Sequence, residues 1–261
     1  MIRPISAAAA GVLLAAAAPA IAQSGGTGHA VTVGMGAQFF PHYPGDDRII
    51  AAPMPVLTIR RIGQRIPFEA PDEGMGIGLL GDRSAFDFGP ALQLQPKRRP
   101  KDVGAAVDPV GFTVEAGAFV QTYVGEHFRL RAEGRKGIGG HGAWVGDLMA
   151  DLVVRDADRT IFSIGPRLRL ADRKYARAYF GVSPAVAVRT GLAAFDPDGG
   201  VTAAGIAAGL VHQFSHAWGM TAKLGYDRLK GDAARSPVVR RYGSRDQFSG
   251  GLALTYTFDV H

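Results

Sequence analysis

The chain has no cysteine in its 261 residues. That excludes a disulfide scaffold, Cys-ligated zinc and thiol catalysis. Long hydrophobic runs are also missing. The longest candidate, Gly199–Val211, is too short for a span and holds four glycines, which argues against a polytopic helical membrane protein. The apolar run Ala7–Ala18 falls short of the ~20 residues that cross ~30 Å of hydrocarbon. Arg3 before it, then Pro19 and Ala20-Ile21-Ala22, read as an export signal, residues 1–22, cleaved after Ala22. Residues 23–261 then form a single domain, long enough to build a core or close a barrel without staples. No G-X-Y period accompanies the 36 glycines, so collagen is out, and their place inside apolar runs argues against helix.

Acidic excess is absent too: the formal charge is +6 and the pI about 9.8. Basic charge suggests a polyanion partner, and Lys97, Arg98, Arg99 and Lys101 form the densest cluster, a candidate partner-contact segment. After an export signal the expectation is no nucleic acid; phosphorylated lipid or loop solvation fits better.

What is present is a period of two. In Val31–Phe39, Val31, Val33, Met35, Ala37 and Phe39 alternate with Thr32, Gly34, Gly36 and Gln38. The same alternation recurs along the chain and is sharpest in "FRLRAEGRKG". There Phe128, Leu130, Ala132 and Gly134 oppose Arg129, Arg131, Glu133 and Arg135. A strand separates these sets; a helix mixes them. A soluble sandwich also alternates. The segments, however, run near the ~9–11 residues of a membrane strand, and Phe39, Trp218, Tyr256 and Phe258 recur near segment ends as an interfacial girdle would. Strands in lipid must pair every backbone group, so the sheet must close.

The expected fold is all-β, a closed antiparallel transmembrane β-barrel of about 12 strands, with ten as the alternative. Spans are expected at 31–39, 54–62, 66–80, 84–94, 110–124, 127–136, 144–154, 160–170, 176–186, 201–214, 217–229 and 246–258. Pro53, Pro55 and Pro67 weaken the pattern near 54–80. Glu115, Arg129, Arg131, Glu133, Arg135, Arg167, Arg169 and Lys223 are expected to face the lumen, as filling or as a selective lining. The loops 40–53, 187–200 and 230–245 are expected outside the cell. "FSHA" would be a periplasmic turn, and the same count puts 96–109 in the periplasm.

Chemical motifs are weak. "GIGGHG" matches G-x-G-x-x-G through Gly137, Gly139 and Gly142, with Asp156 and Asp158 further on. The sequence after it reads as a strand rather than a helix and no further βαβ unit follows, so a bend at a barrel rim is expected. His212, Ser215 and His216 suggest a hydroxyl nucleophile, but no orienting carboxylate is near in sequence. Asp196 and Asp198 lack calcium-loop spacing. Tyr43, Tyr175 and Tyr242 sit in loops with no assigned role. No catalytic, cofactor or metal residue is expected.

The stretches "VEAGAF" (114–119), "RLRAEGRKGIGGHGAW" (129–144), "SIGPRLRLADRKYARAYFGV" (163–182), "TGLAAFDPDGG" (190–200), "LKGDAARSPVV" (229–239) and "LALTYTF" (252–258) resemble the MltA-interacting protein family, MipA/OmpV. The resemblance implies an outer-membrane barrel with no catalytic residues. It implies a scaffold linking a lytic transglycosylase to a murein synthase, or alternatively a small porin-like channel whose arginines favour anions; a barrel-embedded lipid hydrolase is the third reading. Outer-membrane lipids are expected partners, with small solutes if the chain is a pore. Two departures stand out: "DVH" follows Phe258, and Arg173 stands where family members often carry an acid.

Overall fold

The computed structural model describes residues 28–260 apart from 63, 64, 67, 71 and 81–84. The expected export signal lies outside the described residues. Eleven antiparallel strands form one curled sheet: β1 (His29–Pro41), β2 (Ile49–Arg61), β3 (Met75–Gly76), β4 (Phe86–Gln95), β5 (Thr113–Val124), β6 (Phe128–Gly139), β7 (Trp144–Asp156), β8 (Thr160–Ala171), β9 (Gly200–Gln213), β10 (Trp218–Leu229) and β11 (Asp246–Val260). The sheet order is β2-β1-β11-β10-β9-β8-β7-β6-β5-β4-β3. Every neighbour is a sequence neighbour except β1 and β11, which join the two ends of the chain.

Burial follows the alternation and reverses the soluble order. In β6, Arg129, Arg131, Glu133 and Arg135 are buried while Phe128, Leu130 and Ile138 are exposed. In β11, Ala253 and Thr255 are buried while Leu252, Leu254 and Tyr256 are exposed.

The registers define two rims. One carries both chain ends and the short turns 125–127, 157–159 and 214–217. The other carries 42–48, 96–112, 140–143, 172–199 and 230–245. The three long connections expected on one side do share this second rim, and so does 96–109, which was expected opposite them. Two departures from the expected strand map explain that. Residues 66–80 are not one strand: after β2 the chain turns inward along the concave face, where Asp72 and Glu73 meet arginines of β6 and β8. It then reverses as β3, where Met75 pairs Leu92 and Gly76 pairs Ala91. Residues 176–186 are not a strand either. Most of them fall in two helices, α2 (Arg173–Phe180) and α3 (Pro184–Thr190), and Val182 between these bridges Phe195. The interior passage adds a crossing and the helices remove one, so eleven wall strands still return both ends to one rim.

Three further short helices, α1 (Pro100–Val103), α4 (Gly231–Arg235) and α5 (Pro237–Tyr242), complete a cap on the second rim. Its apolar core holds Tyr43, Val103, Val107, Tyr175, Tyr179 and Phe180 with Val186, Val238 and Val239. Tyr43 and Tyr175, without a role in sequence, are thus cap core. β2 is a strand despite Pro53 and Pro55, because it lies at one end of the sheet order, where a missing N–H breaks no ladder.

Candidate functional site: the ion-paired interior

β5, β6, β7 and β8 each place charged side chains on the concave face. Asp151 on β7 lies 2.8 Å from Arg129 and 2.7 Å from Arg167. Asp147, four residues earlier and so on the same face, lies 2.5 Å from Arg135 and 2.8 Å from Arg169. Glu133 joins Arg131 at 2.6 Å and also Arg135, which reaches Glu115 at 3.1 Å. The inward segment adds Glu73 against Arg129 and Arg131, and Asp72 2.6 Å from Arg167. The Phe68 ring lies 4.5 Å beneath the Arg129 guanidinium, and Phe119 lies 3.6 Å from that of Arg131. Desolvating so many charges is tolerable only because each group is hydrogen-bonded to an opposite one.

Pro166 interrupts the β7–β8 ladder, which steps from the Met149–Arg167 pair to the Leu152–Ile164 pair. Arg167 Nη1 donates to the Pro166 carbonyl at 3.0 Å, serving backbone that the ladder leaves open. Lys223 sits apart from the network and donates to Gln38 at 2.9 Å. All eight side chains expected inside therefore lie on one face of the sheet, and six are buried; Arg169 and Lys223 are half-buried. Asp147, Asp151, Asp72 and Glu73 join these inward charges, beyond the eight expected. The first two stand on the right face of β7's alternation. The other two lie where no alternation exists.

The glycine-rich stretch is the β6–β7 turn. Gly139, Gly140 and Gly142 have φ of +76°, +31° and +53°, and a Cβ on Gly140 would fall 1.9 Å from Thr113 Oγ1. The bend folds His141 inward. The Ala143 amide donates to its Nδ1 at 3.1 Å, so the ring proton is on Nε2 and points to Glu115 at 3.1 Å. A strand follows, not a phosphate-binding helix.

The other candidates are structural. Ser215 Oγ accepts from the Ala217 and Trp218 amides and closes a turn; His212 bonds Thr160 at 2.9 Å. Asp196 pairs with Arg173 and Arg177, which together hold its carboxyl down to about 2. The unusual Arg173 thus has a partner. Among the described residues no group of His, Cys, Asp and Glu could hold a metal ion, and no helix is long and apolar enough to cross a membrane.

Residues 33–258 match the family model described as MltA-interacting protein MipA. The chain belongs to the MipA family. No curated protein matches it. Among solved structures it is similar to an outer membrane channel from Pseudomonas putida F1 at 12% identity and a TM-score of 0.45, covering 92% of this chain and 99% of that one. It is also similar to a Pseudomonas aeruginosa FadL homologue, at 9% identity and a TM-score of 0.29, covering 90% of each.

In this MipA family member the basic segment is not a continuous contact surface. Arg98 is buried and donates to the carbonyls of Tyr179, Ala178 and Asp108, tying α1 and its flanks to α2. Burial lowers its pKa. Arg99 pairs with Asp102 at 3.2 Å, leaving Lys97 and Lys101 exposed. One cation of the cluster is a cap anchor, and the whole segment stands on the rim opposite the chain ends.

Proposed function

We propose that the chain is a non-enzymatic outer-membrane β-barrel protein with a filled interior, serving as an envelope scaffold. The observation that carries the membrane placement is the inversion of burial. Arg129, Glu115 and Arg135 are 0–1% exposed while Leu57, Met35 and Leu224 are 61–65% exposed. A soluble monomer rarely shows an apolar patch beyond a few hundred Å²; here the outer face of the sheet is apolar between its rims. Aromatic pairs flank it near both rims, Trp218–Tyr256 at 4.9 Å and Tyr226–Phe248 at 5.0 Å. From Phe248 to Phe258 the strand climbs ~25 Å at ~40° tilt, the height of an outer-membrane apolar band.

The scaffold reading is favoured over the pore. Interior arginines are matched by carboxylates, so they offer no cationic excess to draw anions. The inward segment and the helical cap occupy the path. The family description names an MltA-interacting protein, which supports a lytic transglycosylase as partner. Its contact surface would be the short-turn rim, periplasmic if the sidedness follows bacterial barrels, rather than 96–109. Planar-bilayer recording of the purified chain should show no conductance steps, and pull-down from envelope extract should recover a murein enzyme. Stepwise conductance with no murein enzyme would overturn the scaffold in favour of the pore.

A further inference from the structure

The net basic charge of this chain is concentrated on one rim. The connections 42–48, 96–112, 140–143, 172–199 and 230–245 hold fourteen Lys and Arg against eight Asp and Glu, a formal excess of six. That equals the +6 of the entire chain. On the opposite rim the short turns 125–127, 157–159 and 214–217 hold Arg159 against Glu126 and Asp158, and Arg60 and Arg61 end β2 there.

Most carboxylates of the capped rim are engaged, the exposed Asp47 apart. Asp46 pairs with Arg48, Asp102 with Arg99, Asp108 with Arg189, Asp196 and Asp198 with Arg173, and Asp232 with Arg235. Lys174, Lys230, Arg240, Arg241 and Arg245 are exposed, and no described carboxylate lies within ion-pair distance of them. Two clusters follow. Lys136, on the outer face of β6, lies 5.1 Å over the Trp144 ring, with Lys174 at the adjoining Gly142. Arg245 adjoins β11, and Arg240 and Arg241 end α5, which Val238 and Val239 anchor in the cap. Tyr226 and Phe248, on the neighbouring strand ends, turn their rings outward.

We infer that the capped rim binds the phosphate groups of anionic membrane lipids, through Lys136 and Lys174 on one side and Arg240, Arg241 and Arg245 on the other. This rests on the membrane reading above. Cations placed where an apolar wall ends meet headgroups rather than bulk water, and each adds attraction to an anionic leaflet. An aromatic ring beside the cation fixes the depth at which that contact is made. The same asymmetry orients the molecule, with the capped rim at the leaflet richer in phosphate-bearing charge and the less charged turn rim at the other.

The test uses the full chain reconstituted in nanodiscs of phosphatidylcholine with an equal share of phosphatidylglycerol, and native mass spectrometry of the lipids retained after mild extraction. Phosphatidylglycerol should be enriched over phosphatidylcholine, and ~1 M salt should erase the enrichment. Each cation removed in Arg240→Gln, Arg241→Gln and Arg245→Gln should lower it, by up to about fivefold, while Arg159→Gln on the turn rim leaves it unchanged. Equal retention of the two lipids, or enrichment indifferent to the three changes, overturns the inference. So does cosedimentation with isolated murein sacculi that depends on the same arginines, which would assign the cluster to murein. Failure to enter discs of either composition overturns the membrane reading itself.

Discussion

Asp151 shows what a buried carboxylate does in this interior. Its side chain has no exposure, and it is shared between Arg129 and Arg167. Asp151→Asn leaves two buried guanidinium groups short of an anion, and breaking such a pair costs roughly 3–5 kcal/mol. Asp108→Asn removes only an exposed partner of Arg189 and should cost under about 1 kcal/mol. Urea unfolding in detergent should separate the two; equal midpoints would show that the interior pairs contribute nothing. The tyrosines of the cap give a pH test. Burial pushes Tyr43 and Tyr179 up to about 12 and Tyr175 higher still. The folded state thus favours the neutral phenol over an unfolded value near ~10. Its contribution is complete below pH ~10 and is lost as pH rises toward about 12. Unfolding midpoints should hold from pH 8 to 10 and then fall; 295 nm absorbance should show these tyrosines ionising last. At this scale the sequence revealed faces but not partners. Alternation put Arg129 and Asp151 on one side of their strands, while their contact depends on ladder register, which pairs them across β6 and β7.

Helices α2 and α3 were readable from their ends. Asp172 caps α2 by accepting from the Tyr175 amide. Ser183 caps α3, Pro184 opens it, and Gly191 closes it at φ +70°. Those signals outrank the apparent alternation of 176–186, which arises because Ala and Tyr suit either period. The inward passage after β2 carried no such signal. It runs along the concave face, where the wall's contrast between lipid and water does not act, so nothing imposes a period of two. What holds it is charge, and Asp72→Asn with Glu73→Gln should release it. In the folded protein, trypsin should then cut at Arg65 in the double variant and not in the wild type. Equal resistance would mean that Phe68 and the backbone suffice to hold it.

For the molecule as a whole, the fold class was legible because one solvent contrast acts along every wall strand. The strand number was not, since it depends on where the chain leaves the wall. The absence of cysteine makes the outer face testable. A maleimide that cannot enter lipid should leave Leu254→Cys unlabelled in reconstituted protein and label Lys230→Cys; labelling of both would place the β11 outer face in water.

The pairing of β1 with β11 has a consequence for biogenesis. Thr32 Oγ1 meets Thr257 Oγ1 at 2.7 Å across 225 residues, so the first strand to be synthesised waits for the last before it has that neighbour. Loop closure of this length makes folding slow. Until the final strand is made, a sticky apolar ribbon stands with one flank bare. A chain shortened before Asp246 would strand β1 and β10 together and should be degraded before reaching any membrane.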